Sequence, residues 1–203
     1  MIIDLKELKN KYNLNFKGVI HIGAHYGEEN DVYEELDIKN RMFFEPCKDN
    51  FNILKQKVGD DFVLVNVALG SENKKIDMYI ESANNGQSNS LLKPVLHLQQ
   101  YPHIQFNKTE TVDMIRLDDY KFDRTSYNFI NIDVQGFELE VFKGAKETLK
   151  NIDYIYSEIN RDEVYENCAK IDEMKNFLGG FNFKLVEECW SGGTWGDGLF
   201  IKV

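Results

Sequence analysis

Compact apolar runs and amphipathic stretches take turns along this chain. GVIHIGA (18–24) is a buried-strand pattern that ends in glycine, and residues 28–37 then space their apolar positions as a helix does. MFFEP (42–46) is a second run, KDNFNILKQKV (48–58) a second helical stretch, and DFVLVNVAL (61–69) a third run. A short amphipathic helix over 3–12 precedes them all. Strands that alternate with helices specify βαβ units and a parallel sheet, since parallel neighbours need a crossover between them.

The middle of the chain changes character. KIDMYIES (75–82) alternates like a half-exposed strand, residues 82–109 are polar and carry Pro94 and Pro102, and TVDMIRLDDY (111–120) reads as another strand. The alternation then resumes with NFINIDV (128–134), a helix over about 137–150, DYIYSEI (153–159) and a helix over about 162–178. KLVEECW (184–190) and DGLFIKV (197–203), joined by a glycine-rich turn, predict an antiparallel hairpin. The expected fold is therefore α/β: one domain over 1–203 built on an open doubly wound sheet, with a C-terminal hairpin and a loop insertion around 82–109.

Composition narrows the classes of function. At 203 residues, 42% apolar and 13% aromatic, the chain has the material for one substantial core. Its formal net charge of −10 argues against a nucleic-acid binder, which needs a basic stripe, and points to a small-molecule or glycan partner. Cys47, Cys168 and Cys189 form no CxxC pair and read as reduced thiols of a cytoplasmic protein. The charged N-terminus is no signal peptide, and no window is long and apolar enough for a membrane span. Nothing in the composition sets an oligomeric state.

In open α/β sheets ligands bind beyond the carboxyl ends of the strands. The first strand closes with HIGAHYG, where Gly23 and Gly27 permit a tight turn. This is neither the G-x-G-x-x-G of dinucleotide sites nor a P-loop, and an ordinary strand-to-helix turn has the same pattern. The second strand closes with Glu45, 22 residues beyond Gly23, at the spacing where a carboxylate grips a ribose diol. A ribose without a pyrophosphate site suits S-adenosylmethionine, with Ala68 and Asn66 bordering its adenine.

VIHIGAHYGEE, FFEP, NVALG, SNSLL, INIDVQGFELEVFKGA and YSEIN together resemble the FkbM-like S-adenosylmethionine-dependent methyltransferases, over residues 18 to about 160. The resemblance implies a seven-stranded Rossmann-like sheet and O-methylation of a sugar or natural-product hydroxyl. It also implies that Gly23, Ala24 and Gly27 line the cofactor, that Glu45 holds its ribose, and that Asp133, Glu138 and Glu158 form the active centre, with Asp133 also near the cofactor. His21 stands where the family's first motif usually carries an acid. It is then either part of the cofactor site or a core histidine, and Glu28 is placed to compensate.

Glu138 poses a problem of its own. Val141, Phe142, Ala145 and Leu149 repeat as a buried helix face, and Glu138 falls on that same stripe. A place in the first helical turn, where the dipole favours an anion, puts it at the mouth of the sheet beside Asp133 and Glu158. Methyl transfer to a hydroxyl needs alignment and a base. Asp133 or Glu138 is the first candidate; His21, His25, His97 and His103 remain. The three carboxylates suit a divalent cation as well, though no metal site is expected. Ser88, Ser90, His97 and Tyr101 from the long loop, and Trp190 and Trp195 from the hairpin, are expected to meet the acceptor. The alternatives are a non-catalytic nucleoside-binding module or partner subunit on the same fold, and a nicotinamide enzyme, against which the missing G-x-G-x-x-G counts.

Overall fold

A computed structural model of the chain describes residues 2–203. In chain order the strands are β1 (Gly18–Ile22), β2 (Asn40–Phe44), β3 (Val63–Val65), β4 (Ala68–Leu69), β5 (Lys74–Glu81), β6 (Phe106–Ile115), β7 (Phe129–Ile132), β8 (Tyr154–Asn160), β9 (Phe183–Ser191) and β10 (Trp195–Lys202). The helices are α1 (Leu5–Tyr12), α2 (Asn30–Glu35), α3 (Lys48–Val58), α4 (Leu96–Gln100), α5 (Glu138–Lys143) and α6 (Ile171–Gly179).

A seven-stranded sheet runs in the order β3-β2-β1-β7-β8-β10-β9. The first five are parallel, whereas β10 is antiparallel to both β8 and β9. All five residues of β1 are buried, because helices cover both faces of the sheet. Ile20 and Ile22 enter one core with Ile130, Ile132, Val141 and Phe142. Val19 enters the other, with Leu5, Leu8 and Leu54. His21 shares the Val19 face by the twofold alternation of a strand. The strand order reverses at β1, which pairs with β2 on one side and β7 on the other, so a crevice opens beyond their carboxyl ends.

Three expectations change. The run 61–69 is not one strand. It breaks at Asn66, whose amide donates to the carbonyls of Glu45 and Pro46, and Ala68–Leu69 leaves to join a second sheet of order β4-β6-β5. The helix expected to 150 ends at Lys143, and Gly144 then passes so close to Gly70 that a Cβ would lie 1.9 Å from its carbonyl oxygen. The helix expected from 162 starts only at Ile171, and residues 161–170 form a loop that buries Tyr165 completely. No helix of the described residues is long and apolar enough to cross a membrane.

Candidate active site

The turn after β1 is shaped by what it presses against. Gly23 has φ of +77°, and a Cβ there would lie 1.9 Å from the carbonyl oxygen of Asp133 at the end of β7. The N–H groups of Gly23 and Ala24 both donate to the Phe44 carbonyl at 3.0 Å. They are satisfied within the fold and do not form a cradle for a pyrophosphate. Gly27 serves packing: a Cβ there would meet Leu54 of α3 at 2.7 Å, and it lines neither cavity described below.

Glu45 is buried beyond β2. Its carboxylate accepts the backbone N–H of His25 at 2.9 Å and of Cys47 at 2.8 Å. Burial pushes its pKa up to about 7, against the opposing pull of those two donors. An ionised carboxylate has about four acceptor sites, and the backbone fills two here. Vicinal hydroxyls supply the donors that are missing, so Glu45 fits a ribose diol. Around it lie Ala68, Leu69, Met78 and Leu91, an apolar border suited to a purine. The pocket measures about 60 Å³, and Gly86, Gln87, Asn89 and Leu91 of the long loop also line it.

A second cavity of about 660 Å³ adjoins it and shares Gly23, His25, Gln87, Asp133 and Gln135 with the first. Ala24 and His21 also line it. His21 is buried, with Nδ1 3.3 Å from the Tyr33 hydroxyl, and burial holds its imidazole below the usual range. His25 ties the turn to the long loop: Nδ1 lies 2.7 Å from Glu28 and Nε2 2.8 Å from the Asn85 carbonyl. Burial lowers its pKa, but those two partners outweigh burial and leave it raised.

The three expected carboxylates do converge: oxygens of Asp133, Glu138 and Glu158 lie within 4.8 Å of one another. That spacing would let them share one hard cation. In this structure they are joined by Gln135, whose amide nitrogen donates to Asp133 and Glu158 at 2.7 Å each. Gln135 itself sits at φ +54°, and its side-chain Oε1 accepts from the Tyr165 hydroxyl at 2.6 Å. Burial first, and neighbouring carboxylates second, push Glu158 well above the carboxylate range.

Glu138 lies in the core for a structural reason. Its Oε1 accepts the N–H groups of Val134 at 3.0 Å and Gly136 at 3.1 Å, closing the left-handed turn between β7 and α5. It lines neither cavity. Burial raises its pKa, with Asp133 adding to the rise.

At the far end of the large cavity, Ser88 Oγ lies 3.1 Å from His97 Nε2, and the Trp195 indole donates to the Tyr101 hydroxyl at 2.9 Å. Two expected residues stay outside both cavities. Ser90 is buried and donates to the Gln135 carbonyl at 2.7 Å, fastening the loop to the turn. Trp190 pairs across the hairpin with Gly196, so it lies on the opposite sheet face from Trp195, under the Arg161 guanidinium at 3.6 Å. Sequence reasoning missed Gln135, Tyr165 and Asp197. Gln135 sat within the most specific motif, and Asp197 at a strand end beside glycine; nothing marked Tyr165.

The fold recurs in solved structures. Magnesium protoporphyrin IX methyltransferase (ChlM) from Synechocystis PCC 6803, with bound SAM, superposes with a TM-score of 0.55 at 9% identity, covering 98% of this chain and 76% of that one. A SAM-dependent methyltransferase from Aquifex aeolicus gives 0.52 at 11% identity, covering 100% and 91%. This sheet, with its crevice at the switch point, has the Rossmann-like fold of those methyltransferases. The chain belongs to the methyltransferase FkbM domain family, whose model matches residues 21–185. It is similar to the 2-O-methyltransferase NoeI of Sinorhizobium fredii (strain NBRC 101917 / NGR234), with 29% identity over 178 residues, 80% of this chain and 71% of that protein.

Proposed function

We propose that this methyltransferase acts on a hydroxyl of a sugar, glycan or small metabolite, with Asp133 as the general base. The observation that carries the reading is the position of Asp133, the one member of the carboxylate trio that lines both cavities. Similarity to a 2-O-methyltransferase supports oxygen as the accepting atom.

When bound, S-adenosylmethionine supplies an electrophilic methyl carbon with a neutral thioether as leaving group. Glu45 would hold its ribose. Gly23, Ala24 and His21 border the shared part of the cleft, where its amino-acid end would lie. The acceptor hydroxyl gives its proton to Asp133. Gln135 fixes that carboxylate through its amide, and Tyr165 fixes Gln135. Burial and the neighbouring carboxylates favour the neutral form of Glu158 beside that base. Glu138 is a positioning residue that holds the turn carrying Asp133 and Gln135. Ser88, His97, Tyr101 and Trp195 form the acceptor wall, with the indole as a platform for an apolar sugar face. All three cysteines are free, which suits a reducing compartment such as the cytoplasm.

Transfer of labelled methyl from S-adenosylmethionine to a panel of sugars, phenols and amines tests this. Asp133→Asn is expected to lower turnover by roughly 10²–10⁴, the range for loss of a general base, with cofactor affinity within about threefold. A fully active Asp133→Asn protein would remove the base assignment. Methylation confined to nitrogen acceptors would remove the hydroxyl reading.

A further inference from the structure

The ionisable lining of the large cavity is one-sided. Five carboxyl groups line it, from Glu28, Glu29, Asp133, Glu158 and Asp197, and among the described lining residues there is no lysine or arginine. Arg161, just beyond β8, is directed elsewhere: its guanidinium lies over Trp190 and 3.5 Å from Glu188 on β9. The chain's four histidines all line the cavity, but they do not offset the acids. His21 and His97 are held toward the neutral form by burial, His25 is engaged by Glu28, and His103 stands edge-on to Tyr101.

The two ends of the cavity differ. Glu28, Glu29 and Asp133 adjoin the turn after β1, where a cofactor carrying ammonium and sulfonium groups meets them favourably. Glu158 and Asp197 face each other across β8 and β10 at the acceptor end. Asp197 is buried and already accepts from the Tyr156 hydroxyl and the Ile2 N–H. Elsewhere in the lining His97, 4% exposed, has an Nδ1 with no protein partner. These groups exchange hydrogen bonds with hydroxyls. A phosphate or carboxylate placed among them would lose its water and meet no lysine or arginine among the described lining residues, which is a costly way to bury an anion.

We infer that the enzyme selects its acceptor by charge, taking sugars that bear no anionic group and rejecting sugar phosphates and nucleoside diphosphate sugars. The inference rests on the sugar-hydroxyl reading above and narrows it. It also bears on the order of reactions: methylation falls outside the phosphorylated and nucleotide-activated stages, on a sugar that carries no phosphate.

The test compares methyl glycosides with the matching sugar 1-phosphates and nucleoside diphosphate sugars under one set of conditions. The glycosides are expected to react with kcat/KM at least tenfold above their anionic partners. That ratio should shrink between 0.01 and about 1 M salt, as the screening length falls. Asp197→Asn should narrow it too, and because a ratio is read, partial loss of folded protein cancels. Equal or faster transfer to the phosphorylated forms would overturn the inference and leave sugar methylation standing. Transfer to no sugar in any form, with phenols or amines methylated, would instead overturn the sugar reading and this inference with it.

Discussion

The cofactor end and the acceptor end of this cleft are made in different ways. At the cofactor end the decisive contacts are backbone contacts between strands adjacent in the sheet. Gly23 presses on Asp133, Gly23 and Ala24 donate to Phe44, and Glu45 accepts from His25 and Cys47. At the acceptor end the contacts join side chains of separate loops and elements: Ser88 to His97, Tyr101 to Trp195, Gln135 to Tyr165 and Glu158. The first end follows from having a parallel sheet with a switch point. The second exists only when several loops have been brought together.

Mutations should separate the two ends. The largest effect is expected from Glu45→Ala, which should weaken cofactor binding by roughly 1.5–3 kcal/mol, the scale of hydrogen bonds to a charged group. Turnover at saturating cofactor should stay near the wild-type value. Calorimetric titration with S-adenosylhomocysteine checks the first part; unchanged affinity would dissolve the contrast at its strongest point.

A smaller effect, on the other end alone, is expected from Trp195→Ala. Losing a stacking platform should raise the acceptor KM by an amount equivalent to about 0.5–1.5 kcal/mol, with cofactor affinity unaltered. Trp190→Ala is the control. Its ring lies on the opposite face of the hairpin, so it should lower stability and leave the acceptor KM alone. Equal KM effects from the two tryptophans would mean that the acceptor does not use the Trp195 side of the sheet.

The smallest effect sharpens the border between the ends, where Glu138 lies. Its folded pKa is raised above the unfolded value of about 4.3, so its contribution to stability is fully present below that pH. The contribution is lost as pH rises through the folded pKa, because the unfolded chain then gains the ionised form more readily. Glu45, raised to about 7, and Glu158 act in the same direction. Glu138→Gln keeps an oxygen for Val134 and Gly136 but cannot ionise. Its melting temperature relative to wild type should therefore rise between pH 5 and pH 8. A difference that stays flat with pH would show that Glu138 is ionised in the fold.

The same contrast explains what could be read in advance. Strand ends at Gly23, Glu45 and Asp133 were legible, since short apolar runs mark where parallel strands stop, whereas Glu158 lies inside β8, which runs on to Asn160. The split of residues 61–69 between two sheets was not, because an apolar run gives no sign that Asn66 will turn the chain by bonding to Glu45 and Pro46. Tyr165 looked helical by spacing, but its hydroxyl meets Gln135, a tertiary demand invisible to local periodicity. Ser90 and Trp190 had the right chemistry for a sugar site. Loop anchoring and strand alternation turned them elsewhere.

The small sheet gives the acceptor end a further property. β5 and β6 are antiparallel, with Lys74 opposite Met114, so the stretch between them leaves and re-enters the body of the protein at neighbouring points. Lengthening such a stretch adds only slowly to the entropy of closing it. Ser88, His97, Tyr101 and His103 all belong to it, whereas Gly23, Glu45 and Asp133 do not. Residues 82–105 can therefore change length without moving the strands that carry them, yet Asn85 holds His25 and Leu91 borders the Glu45 pocket, so the stretch couples the two ends of the cleft.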